Sequence, residues 1–397
     1  GKWRREPGAG GLVSALEPVL RRKGGTWVGW PGVLEGEVRD LQAALEGGAD
    51  PGYRLVPVSL TDTERRDFYR GFANEILWPL CHGLPSRCNF EARYWQVYRR
   101  VNRKFAEAIG GAADGEDLLW IHDYHLMAAA EELREAGLRN AMGFFLHIPF
   151  PPPDIFEHLP WADEVLESLL HYDVVGLQTD RDRENLLSCV RVLRDVDAAV
   201  ADDGSNGTVT LHDGRRTRVC VHPISIDNDV FAGGALRREI EMESDALRSE
   251  IGTERILLGV DRLDYTKGIP EKLLGLERAL ERYPDLLGRV TLVQLVIPSR
   301  EMIPEYERMK DRVERLVGRI NGRFTDRGWA PVLYRFGTWD QERLLAFYRA
   351  ADVALVTPLR DGMNLVSKEF CAASVDGRGV LILSCFAGSA DELRDGA

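Results

Sequence analysis

Seven short runs rich in β-branched and apolar residues recur along the chain and alternate with helical patterns, and this alternation limits the fold more than any single motif. The runs are 117–125, 142–150, 173–180, 256–264, 290–299, 352–359 and 379–386. Continuous apolar runs of this kind read as strands buried on both faces. The helical patterns over 99–110, 126–137, 269–283, 301–319 and 341–350 then read as the crossovers of parallel sheets, and the fold class is α/β. At 397 residues the chain exceeds one hydrophobic core, so two domains are expected, and 44% apolar residues suffice to fill both. A polar Gly/Asp-rich segment at 202–214 precedes strands over 215–226 and a charged helical stretch at 236–251. The boundary is therefore expected near 225–235, giving a first domain of 1–228 and a second of 229–397. In open α/β sheets ligands bind beyond the carboxyl ends of the strands, where most of the polar motifs lie.

The 51 basic and 63 acidic residues give a net charge of −12, which repels polyanions and argues against nucleic acid or a membrane surface as a general partner. No run approaches the roughly 20 apolar residues of a bilayer span, and residues 1–10 lack the apolar stretch of a secretory signal, so a cytoplasmic protein is expected. The six cysteines are scattered without metal spacing and read as reduced, mostly buried thiols.

Three glycine-bearing or charged loops carry the candidate chemistry. GAGGL at 8–12 precedes an amphipathic helix, and Gly11 in such a turn lets backbone N–H groups approach a phosphate; a flexible loop is the competing reading. It is no dinucleotide fingerprint, because Val13 stands where the third glycine belongs. DRLDYTKG at 261–268 follows a buried strand, so Arg262 and Lys267 emerge at its carboxyl end as two cations suited to a diphosphate, unless they only pair with Asp261 and Asp264. PLRDGMNLVSKEF at 358–370 combines Asp361, a Gly turn and a helix start bearing Glu369; its backbone N–H groups suit hydroxyls and diphosphate oxygens, and an Asp-capped helix is the alternative.

His122, Asp123 and His125 resemble metal ligands, but strand alternation splits neighbours onto opposite faces, and no metal is expected there. His147 ends a buried strand, from which it either enters a cleft or stays a core histidine. Asp-x-Asp strings at 180–182, 195–197 and 227–229 read as solvated charge, leaving Arg262 and Lys267 in place of a metal cation.

Together, WIHDYHL (120–126), GFFLHIPFP (143–151), DRLDYTKG, PSR (298–300), GRINGRF (318–324) and TPLRDGMNLVSKEF (357–370) resemble the trehalose-6-phosphate synthase family of retaining glycosyltransferases, with two Rossmann-like domains of GT-B type facing a central cleft. The resemblance implies that Arg262 and Lys267 hold the donor diphosphate with Gly11 and the backbone of Leu365 and Val366, and that Glu369 binds the ribose. It implies donor-glucose contacts from Asp361, Met363, Asn364 and His147. Tyr69, Trp78, Asp123 and Arg300 would hold glucose 6-phosphate, with Arg300 on its phosphate, although two aromatics nine residues apart also read as core. Trp339 would lie near the nucleotide base.

The reaction implied is metal-free transfer with retention, in which the leaving diphosphate oxygen takes the acceptor proton while Arg262 and Lys267 stabilise it. No cofactor is called for beyond the nucleotide-sugar co-substrate, UDP-glucose and GDP-glucose are both open as donor, and a homo-oligomer is open. A sister transferase using glycerol 3-phosphate and a silent sugar-phosphate sensor are the alternatives. The family pattern also has an opening strand ending in Asn-Arg, for which Arg4 and Arg5 are weak substitutes, and a further strand and helices beyond Ala397, so a partial chain is expected.

Overall fold

A computed structural model describes residues 11–39, 41–46, 52–194, 197–200, 206–299 and 304–394. The chain divides into two compact units, Gly1–Ile224 and Ser225–Ala397. In the first, β1 (Thr26–Gly29) and β2 (Arg54–Pro57) pair in parallel. A second sheet holds β3 (Leu119–His122), β4 (Met142–Phe145), β5 (Val174–Leu177), β6 (Asp197–Val200), β7 (Asn206–Thr210) and β8 (Arg216–Val221) in the order β3-β4-β5-β8-β7-β6. β3, β4, β5 and β8 run parallel, while β7 lies antiparallel to both β8 and β6.

That antiparallel hairpin departs from the sequence expectation of a polar loop over 202–214. Gly207 and Val209 alternate inward along β7, a period of two that the surrounding polar residues mask, and Leu211 and Arg215 close the turn through Gly214 at φ +86°.

The second unit is a single parallel sheet of β9 (Arg255–Arg262), β10 (Val290–Ile297), β11 (Val332–Phe336), β12 (Val353–Val356) and β13 (Val380–Leu383), among the described residues. Its order, β11-β10-β9-β12-β13, is that of a Rossmann half, and the strand order reverses between β9 and β12. Ile256, Leu258 and Val260 of β9 and Val293 and Leu295 of β10 pack with Leu345, Phe347 and Phe370 from the covering helices. Those helices start where their sequences allow. Pro270 sits in the first turn of Ile269–Arg282, and the Asp340 side chain caps Gln341–Ala350 by accepting from the Arg343 N–H at 2.8 Å.

All seven expected strands form. Burial on both faces holds for β10 but not for β3 and β13, each at a sheet edge among the described residues, where Trp120, Val380 and Ile382 are about half exposed. No helix among the described residues is long and apolar enough to cross a membrane. The six cysteines are free, but Cys371 and Cys385 are exposed and Cys88 is half-buried, so burial protects only Cys81, Cys189 and Cys220.

At the reversal point β9 and β12 separate. β9 stays in register with β10 over eight residue pairs, yet β12 meets β9 only at Val353↔Leu257 and Ala354↔Leu258. Beyond them the loops take over, and the Leu359 N–H donates to the Thr266 carbonyl at 2.7 Å. Gly268 permits this approach: its φ is +67°, and a Cβ there would stand 2.4 Å from the Thr357 carbonyl oxygen. We expect Gly268→Ala to combine left-handed strain of about 1–2 kcal/mol with a backbone clash of similar size. The thermal midpoint of the second unit should fall by roughly 2–4 °C per kcal/mol, and an unchanged midpoint would contradict the close approach.

Candidate functional site

In the second unit the loops leaving β9 and β12 form one polar cluster. The Asp264 side chain accepts from the Thr266 N–H at 2.9 Å and from the Tyr306 hydroxyl at 3.0 Å, which sets the single helical turn Tyr265–Lys267. Lys267 ends that turn, and its ammonium reaches across to Asp361 at 2.5 Å, with the two side chains only 10% and 12% exposed. Asp361 also accepts from the Asn364 amide at 3.0 Å. Asn364 adopts φ +76° and precedes the helix Leu365–Ala373, so the N–H groups of Leu365 and Val366 lie in a first turn without intrahelical acceptors. The positive end of the helix dipole adds to the Lys267 charge there, an arrangement that suits an anion.

The rest of the donor motif divides between this cluster and the core. Arg262 is exposed as the last residue of β9. Asp261 pairs with buried Lys272 at 2.6 Å and accepts from Gln294, so it anchors the end of β9 instead of answering Arg262. Met363 is buried, and its carbonyl accepts from the Ser389 N–H at 2.8 Å, so its side chain serves the packing of the turn. Trp339 and Val366 pack partly buried against the core. Glu369 is partly buried with Oε2 held by the Tyr348 hydroxyl at 2.6 Å; burial raises its pKa and the Tyr348 bond opposes that.

In the first unit, β3 ends in a strained turn. Asp123 takes φ 72° and ψ 164°, one of three non-glycine positive φ values among the described residues, Arg327 and Asn364 being the others. Its carboxylate accepts from the His147 N–H at 3.3 Å. The following residues gather the aromatic candidates: Tyr69 stacks on His125 with centroids 5.4 Å apart, and Trp78 packs 5.8 Å from Tyr124. Tyr69 lies in a segment, Arg65–Leu77, wound as a π-helix, a form that recurs at functional sites. Trp78 is 4% exposed, so the core reading applies to it, whereas Tyr69 is partly exposed.

His122 and His147 meet at 3.1 Å, Nδ1 to Nε2. One ring must donate and the other accept, so the accepting ring is neutral. Burial and the neighbouring His147 push His122 down to about 3, and burial lowers His147 while Asp123 opposes the shift.

No group of three or more His, Cys, Asp or Glu that would hold a metal occurs among the described residues. The Asp-x-Asp strings are not all solvated, as the sequence suggested. Asp182 is buried, accepting from the Phe150 N–H at 2.9 Å and the Thr179 hydroxyl at 2.7 Å, and Asp227 caps the helix Asn228–Ala235. Gly11 begins the helix Gly11–Lys23, while Arg4, Arg5, Asp195 and Arg300 lie outside the described residues.

The model of glycosyltransferase family 20 matches residues 1–397. The chain belongs to glycosyltransferase family 20. Within it, the chain is 43% identical over 402 residues to the trehalose-6-phosphate synthase of a Mycobacterium (strain KMS), covering 99% of this chain and 79% of that one. It is 42% identical over 399 residues to the bifunctional trehalose-6-phosphate synthase/phosphatase of Thermoproteus tenax, covering 97% of this chain but only 53% of that relative's length. Among solved structures, an α,α-trehalose-phosphate synthase (UDP-forming) from Burkholderia xenovorans in complex with glucose 6-phosphate superposes with a TM-score of 0.90 at 33% identity, over 99% of this chain and 86% of that one. An E. coli structure bound with UDP-2-fluoro glucose gives 0.88 at 36%, over 98% and 85%. The fold of this family 20 chain is thus GT-B, with two Rossmann-like units.

Three partnerships did not follow from the sequence motifs, although His122 lies within one of them. The run FAGSADEL (386–393) braces the turn at Asp361, with the Asp361 N–H donating to the Phe386 carbonyl and the Gly388 N–H to that of Asp361, both at 3.1 Å. Tyr348 supports Glu369 from another helix, and His122 supports His147 from another strand. Pairs 21 and 25 residues apart leave no local periodicity to find them by.

A depressed folded-state pKa at His122 means that the unfolded chain gains the proton first as pH falls below about 6.5, so this residue withdraws stability between there and about 3. We expect His122→Gln to gain on the parent by up to about 1.4 kcal/mol for each pH unit lowered in that window. Urea midpoints at pH 7, 6 and 5 would show it; a constant difference would mean that His122 is not held neutral.

Proposed function

We propose that this family 20 chain transfers glucose with retention from a nucleotide-glucose to glucose 6-phosphate, giving trehalose 6-phosphate. The observation that carries the reading is the Lys267–Asp361 pair beside the first turn of Leu365–Ala373, at the strand-order reversal of a Rossmann-type sheet. The extended identity to trehalose-6-phosphate synthases supports the sugars. UDP-glucose is the donor we favour, supported by the UDP-forming Burkholderia enzyme and the UDP-2-fluoro glucose bound in the E. coli structure.

In this reading Lys267, Arg262 and the N–H groups of Leu365 and Val366 bind the diphosphate, with Gly11 assisting. As the glycosidic bond breaks, charge grows on the leaving oxygen, and these groups stabilise it while that oxygen accepts the proton of the attacking hydroxyl. Asp361 orients the Lys267 ammonium and, with Asn364 and the turn at Met363, holds the donor glucose. His147, whose pKa burial lowers, offers a hydrogen bond to the same sugar. Trp339 stands near the base and Glu369 binds the ribose. On the acceptor side Tyr69, Asp123 and Arg300 bind glucose 6-phosphate, while Trp78, matched by the family pattern, is buried in the core beside them. No metal enters this scheme, because the cations and the helix terminus supply the positive charge.

Lys267→Ala and Arg262→Ala should each lower turnover by about 10²-fold or more, measured as UDP release from UDP-glucose with and without glucose 6-phosphate. Chelation should leave the parent rate unchanged. Release only with glycerol 3-phosphate, or no acceptor-dependent release at all, would overturn the assignment of acceptor or of catalysis respectively, and an unimpaired Lys267→Ala would remove Lys267 from the mechanism.

A further inference from the structure

Tyr348 and Glu369 are built as a pair. Tyr348 lies on the helix Gln341–Ala350, is 1% exposed and belongs to the core that covers β9. Its ring packs edge-on to Phe370, and its hydroxyl donates to Glu369 Oε2 at 2.6 Å. Burial, with Glu369 and Asp261 nearby, raises the phenol well above its ordinary value, so it remains a donor at any working pH.

Glu369 is only partly buried, and its Oε1 has no protein partner among the described residues. One carboxylate oxygen is held while the other is left for a ligand. Glu369 follows Leu365 and Val366 by four and three residues on the same helix, so it shares their face about 4.5–6 Å along the axis. A nucleoside diphosphate whose phosphates meet the first turn has its ribose hydroxyls at about that remove.

We infer that Tyr348 is a positioning residue for nucleotide binding: its hydroxyl fixes the Glu369 carboxylate so that Oε1 receives the ribose hydroxyls. This rests on the donor-site reading above. Without the phenol, Glu369 would sample several rotamers and lose a charge-assisted hydrogen bond, while the ring would still fill the core.

The test is calorimetric titration of the full chain with UDP and with 2′,3′-dideoxy-UDP. For Tyr348→Phe the Kd for UDP should rise about tenfold, the equivalent of one charge-assisted hydrogen bond, with the dideoxy Kd unchanged from the parent's. With UDP-glucose the loss should fall on KM and leave kcat within about twofold, since the ribose contact is the same in ground and transition states. Glu369→Gln should weaken UDP and likewise spare dideoxy-UDP. Equal weakening of both nucleotides by Tyr348→Phe would show a merely structural role and overturn the inference, as would an unchanged Kd for UDP. If Glu369→Gln also leaves UDP binding intact, the ribose assignment itself falls; if Glu369→Gln weakens it and Tyr348→Phe does not, only the role of Tyr348 falls.

Discussion

The ion pair between Lys267 and Asp361 joins two loops 94 residues apart in sequence, and the polar cluster at the carboxyl end of the second sheet depends on it. It exists because β9 and β12 stop pairing after two residue pairs, which frees the loops at their carboxyl ends to meet. Each partner is fixed from behind. Asp264 sets the turn that ends in Lys267, and the backbone bonds to the Phe386 carbonyl and from the Gly388 N–H set Asp361. Losing one partner of so buried a pair strands the other charge, at about 3–5 kcal/mol, so the pair contributes to stability.

The two edges of this sheet treat charge differently. At the amino edge, Asp352 accepts from the Ile256 N–H at 2.8 Å and pairs with Arg248 and Arg255 at 3.2 Å, and Arg349 pairs with Asp376 at the same distance. These residues line a cavity of about 690 Å³, but their charges answer one another across β9, β12 and the flanking helices, which ties the strand starts together. At the carboxyl edge, Arg262 is exposed as the last residue of β9, the first turn at Leu365 presents backbone N–H groups, and Glu369 is only partly buried. The division follows from parallel topology, since every strand ends at the same edge and delivers its loop there.

Most of the fold was legible because parallel strands buried by crossover helices leave unbroken apolar runs, and all seven were found. β7 was not, since a strand of Asn, Gly and Thr with one buried valine differs little from a loop until β8 lies beside it. The donor loops were legible for the same topological reason: a Gly-bearing polar motif directly after an apolar run marks a strand's carboxyl end. Their internal partnerships were not. Sequence adjacency suggested Asp261 and Asp264 as counter-ions for the cations, yet Asp261 answers Lys272 and Asp361 answers Lys267, because strand alternation turns neighbours apart and the loop crossing brings distant residues together. Tyr69, Trp78 and Asp123 depended on family likeness alone, and their clustering around residues 123–125 has no counterpart in local spacing.

Strain and neutrality divide the remaining work. Asp123 and Asn364 both hold positive φ without being glycine, and each stands where a strand or loop hands over to a short helix. A glycine would relieve the backbone at either position but remove a side chain that is in use: the Asp123 carboxylate receives the His147 N–H, and the Asn364 amide steadies Asp361. Strain of about 1–3 kcal/mol at such residues persists only where the surroundings over-determine it. The His122–His147 contact fits the same logic: burial disfavours an imidazolium at either ring, and the bond between them needs at least one ring neutral.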